Sequence, residues 1–182
     1  SDRLIYEPGC AHVERMVVRS VFDQCMSGGK PGFTARYWNN TRREGNPVNT
    51  VQVTTPPQYC AAGATVFAPG VNLTDISATY STTFIPKVEG EYHLDIYAYG
   101  LGRVRVNGKE VKGFHNTHGA RKSTYKLKAR RGQRYDIEID YEFVRADALL
   151  SFDLGFREET DIARSVERVK EADVVIFAGG LS

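Results

Sequence analysis

The chain has 182 residues and a net charge of +2, with 41% hydrophobic and 25% charged residues, the composition of an ordinary globular protein. Lysine and arginine are scattered, which excludes a nucleic-acid track, and no apolar run approaches the roughly 20 residues that span a bilayer. Cys10, Cys25 and Cys60 are odd in number and lack a Cys-x-x-Cys pair. This argues against a zinc site and a full disulfide framework, and leaves either one bridge or three free thiols.

Residues 1–10, SDRLIYEPGC, hold a short strand at 4–6, ended by Pro8-Gly9. Residues 11–32 are mixed in pattern and close in SGGKPG, which reads as a linker. From there to residue 156 strand signals follow one another, several with period-two alternation. Ile76, Ala78, Tyr80, Thr82 and Phe84 share one face of ISATYSTTF. Tyr92, Leu94, Ile96 and Ala98 share one face of EYHLDIYAY, with Glu91, His93, Asp95, Tyr97 and Tyr99 opposite. Tyr135, Ile137, Ile139, Tyr141 and Phe143 face inward in RYDIEIDYEF against four acids, and Leu150, Phe152, Leu154 and Phe156 do so in LLSFDLGF. One dry and one wet face is the mark of antiparallel sheets packed as a sandwich. Asn107-Gly108, between RVRV and KEV, is a strong hairpin signal, and ARRGQR is another turn. Lys126, Lys128, Arg130 and Arg131 mostly alternate with apolar residues and read as the wet side of a strand.

The pattern changes after residue 157. Ile162, Ala163, Val166 and Val169 fall on one helical face, with Thr160 or Asp161 as the cap and Glu158 and Glu159 at the positive end of the helix dipole. VVIFA, apolar on both faces, follows as a buried strand of a parallel sheet. The expected organisation is therefore a β-sandwich over 32–157, inserted between short α/β fragments at 1–31 and 158–182. The strands at 4–6 and 174–178 are expected to be neighbours in one parallel sheet, with 159–172 as the crossover helix. On this reading the chain is a piece of a larger enzyme. Gly179-Gly180 stand where α/β sheets open their sites, but the sequence has neither Gly-x-Gly-x-x-Gly nor a Walker motif.

Three segments resemble one family in order and spacing: GFTARYWNN, YSTTFIPKVEGEYHLDIYAYGLGRVRVNGKEV and YKLKARRGQRYDIEIDYEF. Together, over roughly 32–157, they are similar to the protective-antigen-type β-sandwich, a carbohydrate-associated domain. The flanks, LIYEPGC and ARSVERVKEADVVIFAGGLS, resemble the second, α/β-sandwich domain of family-three glycoside hydrolases. Some members of that family carry such a sandwich inserted between these two elements. The resemblance implies a retaining β-glycosidase, a β-glucosidase or β-xylosidase, working in the periplasm or outside the cell. It also implies that the nucleophile and the acid/base lie on parts of the enzyme beyond this segment, so no catalytic residue is assigned here.

For sugar contact, which uses aromatic faces together with amides and charges, the candidates are Trp38, Tyr99, Phe114, His115, Asn116, His118 and Arg121. Trp38 either covers the sandwich rim or meets sugar, and Tyr99 either packs or meets sugar. The other five lie in KGFHNTHGARK, read as a polar loop joining two strands. Sugar-binding adhesins of the family hold calcium through an Asp-Asp pair where this chain has Gly100-Leu101. A calcium-dependent lectin is therefore not expected, nor any metal or cofactor. Asp75, Asp95 and Asp153 read as surface residues, and Asn39-x-Thr41 and Asn72-x-Thr74 are glycosylation sequons.

Three functions follow. The first is an accessory domain that shapes access of β-linked oligosaccharides to the enzyme's active site, with the rest of that enzyme as its partner. The second is a non-enzymatic lectin or adhesin. The third is a structural insert that forms a homodimer.

Overall fold

One long hairpin organises the sandwich. β8 (Gly90–Val106) and β9 (Lys109–Ala129) run antiparallel along almost their whole lengths. Their turn uses Asn107 and Gly108 at φ 51° and 78°, the left-handed pair that an Asn-Gly hairpin requires. The computed structural model describes residues 16–61, 65–159, 162–170 and 174. They divide into a larger unit, Val18–Phe156, and a smaller one, Ser1–Val17 with Arg157–Ser182.

Within the larger unit β8 changes partner at Gly100. Residues 92–99 pair with β11 (Leu149–Glu159), and residues 101–106 pair with β10 (Tyr135–Phe143). β9 follows through a register shift: Ala98 faces Arg121, Gly100 faces Asn116, and residues 117–120 bulge out. The curled sheet thus becomes two layers. Layer one holds β1 (Met16–Ser20) and β6 (Gln58–Cys60) on β11, then the first half of β8 and the second half of β9. Layer two holds the other halves of the hairpin, then β10 and β7 (Ile76–Phe84). Beyond β7 lie β4 (Phe33–Trp38) with β5 (Asn49–Val53), and β2 (Cys25–Ser27) with β3 (Lys30–Pro31).

The alternating residues meet between the layers. Tyr80 of layer two sits 5.0 Å from Phe152 of layer one, and Phe84 sits 4.9 Å from Tyr92, centroid to centroid. Each such ring contributes about 1.5–3 kcal/mol when fully buried. Thr82 shares this face because its hydroxyl donates to the Gly32 carbonyl at 2.8 Å. Tyr141 crosses the core from β10 and its hydroxyl donates to the Tyr99 carbonyl at 2.5 Å, which ties layer two to the bend in β8. The antiparallel β-sandwich expected from the alternation is what the described residues form.

Two expectations are corrected. Residues 18–31 are not a linker but belong to the larger unit. Val21, Phe22 and Cys25 are buried, the Phe22 ring packs tilted against Phe33 at 5.1 Å between centroids, and SGGKPG turns β2 into β3. These are single apolar anchors, too sparse to give a period. KGFHNTHGARK is likewise no free loop but the interior of β9, with only 117–120 outside the ladder.

In the smaller unit α1 (Ile162–Val169) is described, with Ala163 and Val166 exposed. The strand at 4–6, Cys10, the caps at 160–161, residues 175–178 and Gly179-Gly180 lie outside the described residues, as does the pairing of the two end strands. Cys25 and Cys60 are free thiols, and burial pushes the Cys25 thiol up to about 12.

Candidate functional site

Strand register dictates what stands on the outer face of layer two. Side chains alternate, so once Arg103, Arg105, Asp140 and Glu142 turn away from the core they line up with the outward residues of the next strands. His115, Leu101, Glu142 and Ser77 form one row, and Gly113, Arg103, Asp140 and Thr79 form the next. The segment after β4 folds over this face. Asn40 shapes it by accepting from the backbone N–H of Arg42 and Glu44, and Ser77 anchors it by donating to the Asn40 carbonyl. Arg43, held in the left-handed region at φ 58°, is thereby brought over the sheet.

The result is a cleft of about 470 Å³ whose lining includes Arg43, Leu101, Arg103, Glu110, His115, Asp140 and Glu142. Gly113, exposed on β9, also lines it, and an added Cβ there would meet nothing closer than 3.8 Å. Asp140, 3% exposed, is the hub. Its Oδ1 accepts from the Thr79 hydroxyl at 3.0 Å, and its Oδ2 accepts from Arg103 Nε at 2.9 Å and pairs with Arg105 at 3.0 Å and Arg43 at 3.8 Å. Burial opposes ionisation of this carboxyl, but the Arg103 hydrogen bond, then Arg43, Thr79 and Arg105, outweigh it and hold the group below its usual value. Arg105 also binds Glu138, and Arg103 lies 3.9 Å from Glu110. Arg43 Nη1 is buried and has no hydrogen-bond partner among the described residues, an unsatisfied donor on a residue that lines the cleft.

Guanidinium donors, carboxylate acceptors and an imidazole in near charge balance suit a polyhydroxylated ligand better than an anion. His115 stands exposed in this cleft. Phe114 is buried and forms a wall of the cleft, its ring lying against Gly102. Asn116 donates to the Ala98 and Arg121 carbonyls and so closes the β9 bulge, on which His118 is exposed. Trp38 stands half-buried on the same layer, its indole N–H committed to the Gly45 carbonyl at 3.0 Å. Tyr99 is not in the cleft. It lies on the layer-one side, packed on Phe143 with the Arg145 guanidinium 5.9 Å from its ring centre. Arg121 is exposed at the bulge edge. Of the candidate residues only Phe114 and His115 line the cleft, and the sequence reading did not single out Arg43, Arg103 or Asp140. The signal available was the run of acids facing out of RYDIEIDYEF and the arginines alternating in RVRV.

Comparison with known proteins places the geometry in a family. The model of the PA14 domain matches residues 29–164. A xylan 1,4-beta-xylosidase of Xylanibacter ruminicola is 33% identical over 183 residues, which cover 99% of this chain and 21% of that protein. The chain therefore spans about a fifth of the curated relative it matches. A beta-glucosidase from Kluyveromyces marxianus superposes with a TM-score of 0.60 at 15% identity, over 85% of this chain and 21% of that one. The epithelial adhesin 9 A domain from Candida glabrata, solved in complex with Galβ1-4GlcNAc, superposes with a TM-score of 0.54 at 9% identity, over 79% of this chain and 96% of that one. These two likenesses concern the fold. The resemblance read from the sequence, a protective-antigen-type sandwich within a glycosidase of this kind, agrees with the family match and the xylosidase relative.

Proposed function

The chain belongs to the PA14 domain family, and we propose that it is the accessory domain of a retaining β-glycosidase, shaping the access of β-linked oligosaccharides to an active site carried elsewhere in the same enzyme. The observation that carries this reading is the extent of the xylosidase similarity, which runs through 99% of the chain rather than the sandwich alone. A β-xylosidase is the first choice of parent and a β-glucosidase the second, acting in the periplasm or outside the cell. No described helix is long and apolar enough to cross a membrane. The domain supplies no catalytic carboxylate. Its contribution is the layer-two cleft, where Arg43, Arg103, Glu110 and His115 offer donors and acceptors to sugar hydroxyls.

The experiment uses the full-length enzyme and Gly113→Phe, which adds a ring to the cleft lining at a position with room for a side chain. Turnover of an aryl β-xyloside should stay within about twofold, while kcat/KM for xylotetraose falls about tenfold, the loss expected when remote binding energy is removed. Unchanged kinetics on both substrates would remove the cleft from the reading. Failure of the wild-type enzyme to cleave any β-glycoside would remove the reading itself.

A further inference from the structure

The outer face of layer one carries a second cleft that none of the above uses. It measures about 220 Å³, and Pro56, Pro57, Gln58, Asp95, Tyr97 and Asp153 are among its lining residues. Tyr97 is 46% exposed in the middle of a sheet face, between its cross-strand neighbours Ser151 and Lys122. An aromatic ring left this open above a β-sheet is apolar surface within reach of a ligand.

The row beside it is unusual. Asp95 of β8 and Asp153 of β11 are direct cross-strand partners, and like charges so placed destabilise a sheet. Each is only partly compensated. Asp95 accepts from the Thr124 hydroxyl at 2.5 Å and pairs with Lys122 at 3.0 Å, while Asp153 accepts from the Ser20 hydroxyl at 2.8 Å. Burial, with a smaller push from Asp95, raises the Asp153 carboxyl above its usual value. Two acceptor-rich carboxylates beside an open phenol ring and the Gln58 amide match a ligand with an apolar ring face and outward hydroxyl donors. Lys122 is spent on Asp95 and the local balance is negative, so an anionic ligand is disfavoured.

We propose that this face is a second carbohydrate subsite, in which Tyr97 stacks on one pyranose ring of a neutral β-linked oligosaccharide while Asp95, Asp153 and Gln58 accept from or donate to its hydroxyls. The inference rests on the carbohydrate reading above and extends it to the opposite face of the sandwich. The cleft lies below the roughly 300–1,000 Å³ of enclosed ligand pockets, as suits a surface subsite that holds one ring of a longer chain.

The test is a titration of this chain with xylohexaose and, separately, cellohexaose, followed by backbone amide NMR. Wild type, Tyr97→Ala, Tyr97→Phe and Arg103→Ala are compared after thermal melts show that each is folded. The expected result is saturable shifts at residues 95–97 and 151–153 with either sugar. Tyr97→Ala should weaken this response at least about tenfold, Tyr97→Phe should keep it because the ring remains, and Arg103→Ala should leave it untouched. Shifts confined to residues 101–103 and 113–115, lost in Arg103→Ala and kept in Tyr97→Ala, would overturn the second subsite and leave the first cleft standing. Absence of shifts at both faces at saturating sugar would overturn both.

Discussion

The Phe114 ring occupies the space that a side chain at Gly102 would need. A Cβ at residue 102 would fall 2.3 Å from Phe114 Cζ and 2.2 Å from the Asp140 carbonyl oxygen. The glycine therefore lets β9 bring Phe114 into the core wall while its neighbour His115 points outward into the cleft. Gly102→Ala should cost about 1–3 kcal/mol, the usual penalty for overpacking. It should also disturb the amide signals of residues 113–115. Urea unfolding checks the first expectation and an NMR spectrum the second; a substitution silent in both would contradict the packing described here.

Asp140→Asn tests the hub of the layer-two network. It leaves three guanidiniums without their shared carboxylate, and should cost about 3 kcal/mol, near the lower end for breaking a buried pair because the arginines are part exposed. The effect depends on pH. The folded-state value of Asp140 is lowered, so its stabilisation is complete above the ordinary aspartate value of about 4 and is lost as pH falls through the lower folded value. Wild type and variant should therefore differ most near pH 7 and converge in acid. A gap in melting temperature that stays constant from pH 7 to pH 3 would contradict this account.

Asp153 predicts the opposite sign. Its carboxyl is raised in the folded state, so its contribution is most favourable below about pH 4 and is lost as pH rises through the folded value. Asp153→Asn keeps an acceptor for Ser20 and removes the like charge facing Asp95. The variant should be more stable than wild type at pH 7 and equal to it in acid. The same variant should bind xylohexaose less well, because the second subsite exchanges a carboxylate acceptor for an amide. A variant less stable at pH 7 would show that the pair is not repulsive.

Tyr141→Phe removes a hydroxyl that reaches the Tyr99 and Leu149 carbonyls across the layers. The expected cost is about 1–2 kcal/mol, since two acceptors beside the bend in β8 lose their donor. Faster hydrogen exchange at residues 99–102 would locate the loss at the bend, and unchanged exchange there would contradict the bracing role.

Much of the sandwich is legible in the sequence because burial repeats every second residue. Ile137, Ile139 and Tyr141 could be assigned inward from spacing alone. The register that places Asp140 beside Arg103 could not, since alternation says which face a residue takes but not which neighbour it meets. The same limit hid the 117–120 bulge: His118 and Arg121 read as one loop with His115, yet the ladder resumes at Arg121 in the other layer. Residues 18–31 were missed because Val21, Phe22 and Cys25 anchor the chain singly. Arg43 was missed because its position depends on the Asn40 turn rather than on any pattern of its own.

The central claim, that the layer-two cleft meets carbohydrate, is tested most directly by titrating this chain with xylotetraose while following its amide and arginine Nε signals. The account predicts saturable shifts at Gly102, Arg103, Gly113 and His115, abolished in Gly113→Phe. Saturating sugar that leaves these four positions unmoved would contradict it.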